Sequence, residues 1–147
     1  MLFRSGGYVV GGNGSAANIV GVLNGIFFNA ATTLKPTFSN FYKATITPAN
    51  SEDTTAFVID NPFQQYVVGA DAATGVATFL ETYDMNTSAG SDTTGKSSST
   101  LDIGTTSANG KQFRMLRSAE DPENEDATAV RHSVIVVSNL NSFNGHN

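Results

Sequence analysis

The side chains of this chain that are able to do chemistry are few, and their spacing does not group them. His132 and Ser133 are neighbours, which puts a general base beside a nucleophile in the chain. In a strand, however, successive side chains point to opposite faces, so the two cannot hydrogen-bond as a dyad. His132 therefore reads as a surface or interface residue, and His146 as part of a polar tail. The densest charge lies in Glu120-Asp121-Pro122-Glu123-Asn124-Glu125-Asp126. A calcium loop brings oxygen ligands together with alternating Asp/Asn and a central Gly. This run has neither the Gly nor the spacing, so it reads as a solvated turn or a charged contact surface, with Lys111, Arg114 and Arg117 balancing its charge.

The other carboxylates, among them Glu52, Asp53, Asp60, Asp84 and Asp102, show no pair of the kind a glycosidase holds across its cleft, and they read as turn residues. Gly7, Gly11, Gly12 and Gly14 precede no helix that might offer its N-terminus to a phosphate. There is no cysteine, which excludes disulfides, thiolate catalysis and cysteine-ligated metals. The expectation is a protein with no catalytic residue, no cofactor and no metal, and not an enzyme.

Composition narrows the partners. Eight Lys and Arg against thirteen Asp and Glu give a net charge of −5, and the basic residues are scattered. Nucleic-acid binding draws on counterion release by clustered cations, and anionic membranes attract polybasic segments; neither partner is expected. Only 14% of residues are charged, against about 25% in ordinary soluble domains. Ser, Thr, Asn and Gly fill the difference and make a polar, weakly charged surface. No apolar run approaches the roughly 20 residues of a membrane span. Gly6-Gly7 cuts the opening Met1-Leu2-Phe3-Arg4-Ser5 short of a signal peptide, so synthesis in a cytoplasm is expected.

The elements that must position these residues are short strands. Segments rich in Val, Ile, Thr, Tyr and Phe alternate with clusters of Gly, Asn, Asp and Ser. Strands are expected at 8–10, 19–28, 38–47, 54–59, 65–68, 75–83, 101–103, 112–116 and 130–138. Asn24-Gly25 inside the second of these signals either a hairpin turn or a bulge in one long strand. Asn109-Gly110 predicts a hairpin between 101–103 and 112–116. Asp60-Asn61-Pro62 is a turn. Residues 86–100, nearly all Ser, Thr, Gly, Asp and Asn, predict a mobile surface loop; 1–7 reads as an N-terminal arm and 139–147 as a polar tail. No sustained helical period is present. The expectation is one all-β domain over 1–147, a small β-barrel or sandwich with long Ser/Thr/Gly-rich loops.

The aromatics are the richest signal: ten Phe and four Tyr with no Trp. Phe27, Phe28, Phe38, Phe41 and Tyr42 crowd together, and the two faces of a half-buried sheet cannot both be core. Some of these rings are therefore expected at a subunit contact, where aromatics are enriched.

Segment order adds a resemblance. Gly21-Val22-Leu23-Asn24-Gly25-Ile26-Phe27-Phe28, then Pro36-Thr37-Phe38-Ser39-Asn40-Phe41-Tyr42-Lys43-Ala44 and Ala56-Phe57-Val58-Ile59-Asp60-Asn61-Pro62 resemble a pattern in small virion proteins of marine and freshwater tailed phages. The loop ending in Leu101-Asp102, then Gln112-Phe113-Arg114, Asp121-Pro122-Glu123-Asn124 and Val134-Ile135-Val136-Val137 continue it. The resemblance implies a capsid decoration (cement) protein: a structural virion protein, often a homotrimer, that binds the major capsid protein on the head exterior and stabilises it. Leu2, Phe3, Arg4, Phe38, Phe41 and Tyr42 are then the expected interface residues. Two alternatives stay open: another virion component (a head-fibre base, tail or adaptor domain), or a glycan-binding β-sandwich.

Overall fold

The computed structural model describes residues 2–5, 8–11, 19–43, 45–107 and 110–140, with side chains from residue 19 onward. The chain is all-β: two antiparallel sheets pack together as a small sandwich, and no closed barrel is found among the described residues. The five-stranded sheet contains β6 (Gln65–Gly69), β7 (Thr82–Asn86), β8 (Thr100–Ser107), β9 (Phe113–Ser118) and β10 (Ser133–Ser138), in the spatial order β6-β10-β9-β7-β8. The three-stranded sheet contains β3 (Val22–Asn29), β4 (Pro36–Ser39) and β5 (Thr55–Ile59), in the order β4-β3-β5. A separate hairpin pairs β1 (Leu2–Ser5) with β2 (Tyr8–Gly11), so residues expected to form a plain arm include a strand.

Alternation builds the core. Tyr83, Leu101, Phe113, Met115, Val134 and Val136 share the inner face of the larger sheet and are at most 4% exposed; Ile19, just ahead of β3, completes the cluster. Burying each such side chain contributes about 1.5–3 kcal/mol. The buried Tyr83 hydroxyl donates to Thr78 O at 2.8 Å, which satisfies the one polar atom its ring brings inside. The larger sheet curls until its two edges touch at one point. Ala70, just past β6, bridges Leu101 of β8. Asp71 N–H donates to Leu101 O at 3.0 Å, and Ile103 N–H donates to the Asp71 carboxylate at 2.9 Å. Elsewhere the edges stay apart.

Several expectations are corrected. Residues 101–103 and 112–116 do not form a hairpin: β7 lies between β8 and β9 and pairs with both. A turn-forming dipeptide reports a local bend, not which strand fills the neighbouring place. The strand expected over 75–83 begins only at Thr82, as β7, and residues 75–81 are not part of it. Val76–Thr78 is a 3-10 turn, held where the Thr78 hydroxyl donates to Gly75 O at 2.7 Å and accepts from Gly75 N–H at 3.1 Å. Such local side-chain bonds compete with strand pairing. The strand expected over 38–47 is confined to Pro36–Ser39, because the Ser39 hydroxyl bonds both the O and the N–H of Phe41 and turns the chain away. The last strand begins at Ser133 rather than at residue 130; Arg131, at φ 68°, interrupts the extended backbone before it. Asn24 is the extra residue of a bulge: Leu23 pairs with Val58 and Gly25 with Phe57. Of the two readings of Asn24-Gly25, the long bulged strand is the one adopted.

Residues 87–99 hold no strand, while Thr100 already belongs to β8 and is buried. Of the expected tail, Asn139 and Leu140 both donate backbone N–H groups to Gln112 O; 141–147 lie outside the described residues.

Candidate functional site

Among the described residues, the outer face of the three-stranded sheet carries a concentration of exposed apolar side chains. Ile26, 2% exposed, faces inward. Its neighbour Phe27 therefore faces outward, directly opposite Phe38 on β4. Gly25, two residues earlier on the same face, is opposite Phe57 on β5. With no side chain at Gly25, the Phe38 ring crosses β3 and meets Phe57, centroid to centroid at 5.9 Å and tilted by 45°. A Cβ at Gly25 would stand 2.5 Å from Phe38 Cζ, so glycine is what lets the two edge strands share an aromatic contact. Phe27, Phe38 and Phe57 remain 39%, 61% and 45% exposed. Three large rings held in that state by a sheet form an exposed apolar patch.

The residues expected at an interface are not all brought together. Phe38 lies on this face. Phe41 turns elsewhere and sits half-buried against Gly95, whose φ of 68° suits glycine and whose Cβ, if present, would be 2.4 Å from Phe41 Cδ1. The 87–99 segment is thus seated on the Phe41 ring. Its own turn is closed by Ser91 N–H to Lys96 O and Gly95 N–H to Ser91 O at 2.9 and 2.8 Å. Tyr42, exposed, flanks a groove of about 370 Å³ and mixed polarity, lined also by Leu23, Asn40, Phe41, Asp92 and Lys96. Leu2, Phe3 and Arg4 have backbones paired with Gly11, Val10 and Val9; the contact role expected of their side chains lies outside the described residues. Phe57 was missed by sequence reasoning. The available signal was Gly25, since a glycine inside a strand often marks a close approach by a neighbouring group.

His132 is not a surface residue: it is 1% exposed. Its Nδ1 is 3.1 Å from Asn124 O, so that nitrogen donates, while Nε2 has no hydrogen-bond partner among the described residues. The acidic run folds over it as a series of turns. Asn124 Nδ2 donates to Arg131 O and, at 3.2 Å, to the Ser133 hydroxyl. Ser133 N–H donates to Asn124 O at 3.2 Å, and the Ser133 hydroxyl donates to Asp121 Oδ2 at 3.5 Å. The buried His132 ring shares the Asn124 carbonyl with Ser133 N–H beneath this loop, an arrangement that alternation along a strand does not reveal. No His–Ser bond exists between the two neighbours among the described contacts, and the histidine serves to anchor the loop.

Of the three cations expected to balance the acidic run, Arg117 reaches it, with 3.4 Å to Glu120. Arg114 donates to Leu80 O and, at 3.5 Å, to Asn139 Oδ1. Lys111 pairs at 2.8 Å with the buried Asp84, which stands opposite Asp102 on the outer face of the larger sheet. Like charges placed directly opposite repel, and Lys111 offsets that repulsion. Among the described residues no three His, Cys, Asp or Glu side chains converge as metal ligands, and no helix is long and apolar enough to cross a membrane.

The fold and these surfaces define an all-β sandwich whose main outward feature is an aromatic sheet face. No known protein family, curated protein or solved structure matches the chain.

Proposed function

We propose that this is a structural protein of the tailed-phage virion, a decoration protein that binds the exterior of the head and stabilises it. The observation that carries the reading is the outward aromatic face of Phe27, Phe38 and Phe57. Aromatic side chains are enriched at protein contacts, and a rigid sheet presents these three at small entropic cost. The partner is the major capsid protein, together with further copies of this chain. A modest contact repeated over an icosahedral lattice gains avidity with each engaged site, and a trimer matches the three-fold positions of such a lattice. The task requires no reactive group.

The test is the copy number in purified particles, measured by quantitative mass spectrometry, with and without the paired changes Phe38→Ser and Phe57→Ser. Stoichiometry near that of the major capsid protein, lost in the folded double variant, is the expected result. A handful of copies would assign the chain to a tail or vertex, and its absence from particles would overturn the virion reading.

A second reading, glycan binding, rests on the groove of mixed polarity beside Tyr42. An exposed ring flanked by Asn40, Asp92 and Lys96 offers a stacking face with hydrogen-bonding groups around it. Retention on polysaccharide columns that Tyr42→Ala removes is the outcome that favours this reading.

A further inference from the structure

The curl of the larger sheet leaves a second opening. The Ala70–Leu101 bridge joins its two edges at one point, and before that point β6 and the segment leading into β8 diverge. The gap leads into a pocket of about 230 Å³. Its wall is made by Tyr66, Val68, Met85, Phe113 and Val136, and Val22 of the smaller sheet contributes from the opposite side. Tyr66 and Phe113 meet edge to face, with centroids 6.3 Å apart and planes at 89°. Three hydroxyl residues, Thr87, Ser97 and Ser99, stand with them in the lining. No charged side chain does.

We propose that this pocket is a binding site for a small uncharged aromatic molecule, a one- or two-ring compound with a single hydrogen-bonding group. Size is the first argument. An apolar cavity of about 150 Å³ accommodates benzene, so the present one has room for a second ring or a short substituent. Shape and polarisability are the second. An edge-to-face aromatic pair and a thioether offer a ring both face and edge contacts. The third is the make-up of the lining, in which Thr87, Ser97 and Ser99 supply hydrogen-bonding groups while the rest of the wall is chiefly apolar. Charge is disfavoured because nothing in the lining neutralises it. Burial, with Asp60 adding to it, raises the Tyr66 phenol above its ordinary pKa, so this wall remains neutral and donates from its hydroxyl, to Ile59 O at 3.4 Å. The inference does not rest on a virion role.

The experiment titrates the full chain, labelled at its methionine methyl groups, with indole and, separately, with indole-3-carboxylate. Indole is expected to shift the Met85 methyl resonance saturably, with a dissociation constant on the order of 1 mM or tighter, and the carboxylate to bind at least about tenfold more weakly. Ser99→Trp, which places a ring of its own at the pocket, is expected to weaken indole about tenfold or more; Phe38→Ser, on the outward face, is expected to leave it unchanged. Val68→Phe repeats the blocking test from the wall. Absence of a saturable Met85 shift in the folded protein overturns the proposal. So does an indole shift that survives Ser99→Trp in a variant with native circular dichroism.

Discussion

Two faces of this sandwich are built from the same kinds of residue by the same alternation, and they end in opposite environments. On the inner face of the larger sheet, Tyr83, Phe113, Met115 and Val136 are at most 4% exposed. On the outer face of the smaller sheet, Phe27, Phe38 and Phe57 are 39–61% exposed. The first set contributes to stability because folding removes it from water. The second keeps much of its apolar area in contact with water. Hydrophobicity therefore has two meanings in one chain, and the neighbouring sheet decides which applies.

Large-to-small changes provide the sharpest way to break this comparison. Met115→Ala, on the inner face, is expected to cost about 2–5 kcal/mol, measured as a lower midpoint in chemical denaturation. A loss below about 1 kcal/mol would mean that the inner face is loosely packed and that the two faces differ less than their burial implies. Gly25→Val tests how the outer face is assembled. Its side chain meets the Phe38 ring, so the ring must swing away from Phe57, at about 1–2 kcal/mol; the ring-current shifts between Phe38 and Phe57 should disappear. Phe57→Ser is expected to change stability by less than about 1 kcal/mol while weakening any self-association or capsid binding. A stability loss as large as that of Met115→Ala would make Phe57 a core residue and remove the contrast.

The smallest effect concerns the exposed turn that precedes β10. The Thr128 hydroxyl and its backbone N–H both donate to Asp126 Oδ1, at 2.7 and 2.9 Å. These bonds, with a further contribution from His132, hold the Asp126 carboxyl below its ordinary pKa. The folded value is the lower one, so the associated stabilisation is present above the unfolded carboxylate pKa and is lost as pH falls through the folded value. Thr128→Val, which keeps the backbone donor and removes the hydroxyl, should move the Asp126 titration back towards its ordinary position, read by carboxyl carbon NMR.

The two faces also show how far local pattern reaches. Alternation and turn residues located most strands, and the crowding of Phe27, Phe38 and their neighbours pointed to rings beyond the needs of a core. The pairing of strands was not legible. Asn109-Gly110 announced a hairpin, yet β7 lies between its two arms, because contacts distant in sequence outweighed the local turn. The sequence singled out Phe38, which the fold leaves exposed on the outer face, but not Phe57, since Phe57 joins that face only through the register that places it opposite Gly25. Phe41, two residues before which the chain leaves the sheet, was diverted by the hydrogen bonds of Ser39.

By itself, the sequence determined that this protein is all-β, acidic and free of cysteine chemistry. Those properties follow from residue type and short-range spacing, which act within a few residues. The tertiary structure decided that the sheets form a sandwich instead of a closed barrel, that His132 is buried, and that three phenylalanines from three strands share an outward face. Each depends on which distant segments meet, and burial is a property of that meeting rather than of any one residue.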